Sequence, residues 1–172
     1  MGSGRPTRST HTLALIGFMG SGKSAVGGLV AERAGAPFCD LDSMIENEAG
    51  MTIPEIFATR SEAAFRALES RLLPEALRAG TVVALGGGTP VEESNWRLIT
   101  QRAITVYLDV PFLTIWKRIG PTAHRPLAVR SRDELEALLD ERRPHYEQAA
   151  HRVDNDRPLG VVADEVLKLW SA

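Results

Sequence analysis

Gly17-Phe18-Met19-Gly20-Ser21-Gly22-Lys23-Ser24 stands between the apolar run Thr12–Ile16 and a helical pattern from Ala25 to Ala34. Its spacing, G-x-x-x-x-G-K-[ST], is that of a phosphate-binding loop. The flanks matter as much as the letters. A buried strand, a glycine-rich turn and a helix are the order this chemistry needs. Glycines let successive backbone N–H groups curl around phosphate oxygens, and the helix N-terminus adds its partial positive charge. Lys23 supplies a mobile point charge for the β- and γ-phosphates, and the Ser24 hydroxyl is placed to ligate magnesium. A glycine-rich turn that binds nothing is the alternative, and it does not explain why strand and helix flank the loop.

Outward from the loop, short apolar runs alternate with helical patterns. The runs are Thr12–Ile16, Pro37–Leu41, Thr81–Leu85, Ala103–Asp109 and His151–Asp154. This alternation predicts a parallel sheet with helices on both faces. Thr52 with Glu55, and Ser131 with Glu134, fit capping boxes. Ser61 is a further cap, opening a pattern through Phe65, Leu68, Leu72 and Leu73 towards Gly80. Pro74 should end or kink that helix near Leu73. Pro111 and Pro158 suit first-turn positions of the next helices.

With 172 residues the chain is one domain with a proper core. A net charge of −2 with 44% hydrophobic residues gives no sign of nucleic-acid or membrane partners. No apolar run approaches the roughly 20 residues that span a bilayer. Residues 1–11, Met1 to His11, read as a disordered leader or cloning remnant rather than a signal peptide. The kinase-like domain then covers residues 12–172. The single cysteine, Cys39, excludes an internal disulfide and fits a cytoplasmic protein. Its place in an apolar run suggests a buried structural thiol rather than a reactive one.

A phosphoryl-transfer site needs little covalent chemistry: it must hold two substrates and neutralise charge. In an open parallel sheet such groups gather at the carboxyl ends of the strands. Asp40-Leu41-Asp42 ends the second run. Residues i and i+2 of a strand point to the same face, so both carboxylates can face the cleft, one for the magnesium shell and one for an acceptor hydroxyl. A solvated acidic turn is the bland reading. Gly86-Gly87-Gly88 follows the third run and suits close backbone approach to a ligand, against the alternative of a plain flexible turn. Arg66 and Arg142 could converge on a carboxylate, because guanidinium donors match it in a bidentate way. Taken singly, each is better read as part of a surface salt bridge. Residues 120–131, with Arg125 at their centre, break the periodicity and read as a lid or as an ordinary connection.

Together these motifs resemble the shikimate kinase family of phosphate-loop kinases. The resemblance rests on Gly17–Ser24, on Asp40-Leu41-Asp42 with Ile45-Glu46, and on Ile53-Pro54-Glu55-Ile56-Phe57. It continues through Phe65-Arg66 with Glu69, Gly86–Gly88, His124-Arg125-Pro126-Leu127 and Arg142-Arg143-Pro144-His145-Tyr146. It implies a three-layer α/β/α fold with a five-stranded parallel sheet, like that of nucleoside monophosphate kinases, and a lid over about 120–131. It also implies transfer of the γ-phosphate of ATP to the 3-hydroxyl of shikimate, with Mg2+, by a cytoplasmic monomer that needs no nucleic acid or membrane.

By the same resemblance Asp42 is the base, Lys23 and Arg125 stabilise the transferring phosphate, and Ser24 and Asp40 hold magnesium. Gly20, Ser21, Gly22 and Ala25 join the ATP site, with Arg118 against adenine. Arg66 and Arg142 clamp the shikimate carboxylate. Gly86, Gly87 and Gly88 supply backbone donors, Phe57 and Phe65 pack on the ring, and Glu69 orients Arg66 or a bound hydroxyl. Ala25 stands where the family usually has Thr, which removes one hydroxyl contact to the α-phosphate. The stretch after Asp154 is short, leaving Arg157 as the candidate adenine contact. A sugar-acid or nucleoside monophosphate kinase, and a non-catalytic homologue, are the competing readings. The acceptor-site set opposes the first, and the presence of Lys23, Ser24, Asp42, Arg66 and Arg125 opposes the second.

Overall fold

The computed structural model describes residues 10–120 and 131–171. Arg125 and nearly all of the expected lid fall outside them. Five strands, β1 (Thr12–Ile16), β2 (Phe38–Asp40), β3 (Val82–Ala84), β4 (Ala103–Asp109) and β5 (His151–Asp154), form one parallel sheet in the order β2-β3-β1-β4-β5. β1 is central and wholly buried, with Leu13 opposite Val82 on one side and Ile104 on the other. Its alternating side chains feed two separate cores. Leu13 and Leu15 pack with Val26 and Val30 of α1 (Lys23–Ala34) and with Val162, Val166 and Trp170 of α8 (Leu159–Ser171). Ala14 and Ile16 face the opposite core, built with helices α2 (Leu41–Ala49), α3 (Ile53–Thr59), α4 (Glu62–Ala76), α5 (Glu93–Arg102), α6 (Phe112–Ile119) and α7 (Arg132–Tyr146). Period-two alternation on a doubly covered strand thus produces the three layers.

Local chemistry sets the helix ends. Thr52 and Glu55 form a full capping box at α3, Ser131 and Glu134 form another at α7, and Ser61 Oγ accepts the Ala64 N–H at α4. Such caps are each worth about 1 kcal/mol. His11, assigned by sequence to the leader, is tied to the domain: its carbonyl accepts the Trp170 Nε1–H at 2.8 Å.

Four local expectations need correction. β2 ends at Asp40, and Leu41 and Asp42 already belong to α2, so the two carboxylates do not share a strand face. The reason is that Asp40 is itself the helix cap, its Oδ1 accepting the Asp42 and Ser43 N–H groups at 3.0 and 3.3 Å. Pro74 does not stop α4 near Leu73; the helix carries it to Ala76, well short of Gly80. Pro74 forgoes the bond to the carbonyl four residues earlier, a local loss that the rest of α4 tolerates. Pro111 is the N-cap of α6 rather than a first-turn residue, and Pro158 precedes α8. The strand around Thr81–Leu85 is confined to Val82–Ala84.

Candidate active site

Adjacent strands bring the motifs together. β3 lies beside β1, so Gly86–Gly88 leaves the sheet next to Gly17–Gly22, and β2 lies beside β3 with Asp40 opposite Ala84. A cavity of about 560 Å³ opens between these strand ends.

One side of it is the phosphate loop. Gly22 caps α1 with φ +89°, a left-handed backbone that disfavours any side chain, and a Cβ there would lie 2.7 Å from Asn155 Nδ2. Asn155 in turn donates from Nδ2 to the Ser21 carbonyl at 2.5 Å, and its own N–H donates to the Asp109 carbonyl. Arg118 bridges the Gly20 carbonyl and the Asn155 carbonyl at 3.2 and 3.1 Å. The loop is therefore braced from the β4–β5 side of the sheet. Lys23 Nζ donates to the Gly17 and Phe18 carbonyls, both at 2.9 Å, across the bend of the loop. Ser24 Oγ donates to Asp40 Oδ2 at 2.5 Å.

The opposite side gathers carboxylates, glycines and arginines. Glu69 is buried, with 1% of its surface exposed. Its Oε2 accepts Arg66 Nη1 at 2.9 Å and its Oε1 accepts the Thr89 hydroxyl at 2.6 Å. Arg66 also lies over the Phe65 ring at 5.0 Å, and Phe65 packs on Phe57 at 5.1 Å. The backbone at Gly88 approaches the Arg66 guanidinium so closely that a Cβ would sit 2.5 Å from Nη2. The Cβ position of Gly86 is 3.1 Å from both Asp42 Oδ1 and Glu69 Oε1, and that of Gly87 is 3.4 Å from Arg142 Nη1. Arg66 of α4 and Arg142 of α7, far apart in sequence, thus flank one short run of backbone.

Of the residues singled out by sequence, Gly20, Gly22, Lys23, Ser24, Ala25, Asp40 and Asp42 line the cavity. Phe57, Phe65, Arg66, Glu69, Gly86, Gly87, Gly88 and Arg142 line it too. Ser21 is buried behind the loop and Arg118 braces it from outside. Arg157 does not line the cavity: it donates to Glu165 Oε2 at 2.5 Å and to the Asp154 carbonyl. Cys39 is half-buried. Burial first, and the Asp40 charge second, push its thiol up to about 11, so it stays protonated at neutral pH.

Sequence reasoning missed Thr89, Asn155 and Tyr146 as parts of this architecture. The Tyr146 hydroxyl donates to the Gly87 carbonyl at 2.7 Å. Only its spacing, one helical turn after Arg142, carried a signal. For Thr89 and Asn155 nothing in the sequence reveals the buried partner.

A braced phosphate loop facing a pocket of paired arginines, carboxylates and glycine backbone defines a phosphate-loop kinase for a small hydroxylated acceptor. Comparisons with known proteins agree with that class and narrow it. The family model described as shikimate kinase matches residues 19–170. A shikimate kinase of Salinibacter ruber is 41% identical, over 92% of this chain and 83% of the relative. Another, of Aquifex aeolicus, is 37% identical over 89% of this chain and 92% of the relative. Among solved structures, the Acinetobacter baumannii shikimate kinase in complex with shikimate superposes with TM-score 0.90. It is 34% identical, covering 94% of this chain and 93% of that one. A gluconokinase of Sinorhizobium meliloti shares the fold at TM-score 0.61 and 20% identity. The chain belongs to the shikimate kinase family, ATP-dependent kinases that transfer phosphate to a shikimate hydroxyl.

Proposed function

We propose that residues 12–172 form one kinase domain that transfers the γ-phosphate of ATP to the 3-hydroxyl of shikimate, with Asp42 as the base. The observation that carries this reading is the convergence of Arg66, Arg142 and Asp42 on Gly86–Gly88, beside the phosphate loop. A small acid with ring hydroxyls matches such a set. The two guanidinium groups meet its carboxylate, glycine backbone meets its hydroxyls, and Phe57 and Phe65 meet its apolar ring edge.

Asp42 takes the acceptor proton late, because a loose transition state needs little deprotonation before transfer. Lys23 follows the charge on the β- and γ-phosphates, and Arg125 is assigned the same task from the lid. Glu69, anchored by Thr89, orients Arg66. Gly20, Ser21, Gly22 and Ala25 complete the phosphate cradle, while Arg118 and Arg157 are the candidates at the adenine end.

The donors beside the loop fit a magnesium ion. Ser24 Oγ and Asp40 Oδ2 are hard oxygens facing each other, while Asp40 Oδ1 is committed to the helix cap. Among the described residues no cluster of three or more His, Cys, Asp or Glu could hold a metal alone. Magnesium here would be held by Ser24, and by Asp40 through water, together with substrate phosphates. Its role when bound is to neutralise phosphate charge. We place the enzyme in the cytoplasm as a monomer acting on ATP and shikimate, without nucleic acid. No helix among the described residues is long and apolar enough to cross a membrane.

A coupled kinase assay against shikimate, quinate, gluconate and nucleoside monophosphates tests the acceptor. Shikimate should give the highest kcat/KM. A rate with gluconate well above that with shikimate would replace this reading with a sugar-acid kinase.

A further inference from the structure

Tyr146 ends α7 with its side chain fully buried, and a buried phenol must find hydrogen-bond partners. It finds them at the acceptor pocket. The hydroxyl donates its one hydrogen to the Gly87 carbonyl at 2.7 Å. The Arg142 guanidinium lies beside it, and its positive charge acts on the phenol. Both groups lie 3.4 Å from the Cβ position of Gly87, so the hydroxyl and guanidinium share one face of that residue. Because the peptide is planar and trans, holding the Gly87 carbonyl towards α7 sends the Gly88 N–H in the opposite direction. The hydroxyl thus fixes a backbone segment directly beside the arginine.

The ring itself is held from behind. Its centroid is 5.4 Å from that of Tyr107, whose hydroxyl donates to Asp109 Oδ1 at 3.0 Å. Asp109 Oδ2 in turn accepts from Nη2 and Nε of Arg152 at 2.5 and 3.1 Å. This stack ties the last turn of α7 to β4 and β5, so the Tyr146 hydroxyl has little freedom to drift. Burial pushes that phenol up to about 12, with Arg142 partly opposing, so it remains a donor at neutral pH.

We infer that Tyr146 is a positioning residue for acceptor binding: its hydroxyl sets the Gly87 backbone and the Arg142 guanidinium in one register, so that backbone donors and carboxylate clamp meet the same ligand. This inference rests on the proposed acceptor site. It assigns Tyr146 no contact with the reacting atoms.

The test is Tyr146→Phe, which removes one oxygen and keeps the ring packing, studied beside Arg142→Lys. Steady-state kinetics and calorimetric titration with shikimate are measured on both, with thermal melting as a check of folding. Tyr146→Phe should raise KM and Kd for shikimate about fivefold to tenfold, the loss of one buried hydrogen bond. KM for ATP should stay within about twofold and kcat within about threefold, since neither the phosphate loop nor Asp42 is touched. Arg142→Lys should raise the shikimate KM by at least as much. In the double variant the losses should combine less than additively, because both side chains lie against the same residue, Gly87.

If Arg142→Lys raises the shikimate KM and Tyr146→Phe does not, the inference about Tyr146 fails while the acceptor site stands. If neither changes it, the acceptor site itself is misassigned. Equal rises in KM for both substrates with a lowered Tm would mark Tyr146 as packing only and overturn the inference.

Discussion

Asp42 carries the chemical step in this account, and its surroundings explain how a single carboxylate can. Its Oδ1 lies 3.1 Å from the Cβ position of Gly86, at the seam between loop and acceptor pocket. Its own N–H is held by Asp40, whose other oxygen faces Ser24. Base and metal donor are thereby spaced by one helix cap. Replacing Asp42 with Asn keeps the shape and removes the charge. Turnover should fall about a hundredfold or more, with nucleotide Kd within about twofold, since general-base assistance is worth that much. Normal turnover in Asp42→Asn would remove the base assignment. At this scale the sequence was informative about residue type and misleading about route. Asp-x-Asp suggested a shared strand face, whereas an aspartate just after a short strand is an equally good helix cap. Composition cannot decide between the two; the cap hydrogen bonds do.

Among the helices, α3 is the shortest that lines the acceptor pocket, contributing Ile53, Pro54 and Phe57. Seven residues are too few to hold a helix by propensity, so its N-terminus is held by side chains. Glu55 Oε2 accepts the Thr52 N–H at 2.7 Å and the Thr52 hydroxyl at 2.8 Å, and Glu46 Oε1 accepts the Ile53 N–H at 2.9 Å. The backbone hydrogen bond from Thr52, then the hydroxyl, hold Glu55 below its ordinary 4.5. A carboxyl whose folded pKa is depressed stabilises the fold above its unfolded value. That contribution is lost as pH falls through the folded value. Wild type should therefore melt higher than Glu55→Gln at pH about 7, and the gap should close at pH about 3, followed by circular dichroism. A gap that stays constant with pH would mean the Glu55 charge does not hold α3. The box itself was readable from Thr52 and Glu55 because its spacing is local. The course of α4 past Pro74 was not, because whether packing along the helix outweighs one lost backbone bond is not written in the local sequence.

Across the whole molecule, strand order does what no single motif can. The order β2-β3-β1-β4-β5 sets the phosphate loop beside Gly86–Gly88 and brings Asp40 alongside. Alternating strands and helices announced a parallel sheet, and the loop announced a nucleotide. That Arg66 and Arg142 line one cavity was beyond direct reading, because α4 and α7 are far apart in sequence. The same applies to the brace from Asn155 to Ser21, a contact between residues distant in sequence. The central claim is that this half of the cavity selects its acceptor by the carboxylate. The most direct test compares kcat/KM for shikimate with that for its methyl ester, which keeps the hydroxyls and loses the charge. The clamp predicts a loss of about a hundredfold or more for the ester, as expected when two charge-assisted contacts go. Equal kcat/KM for the two acceptors would contradict it.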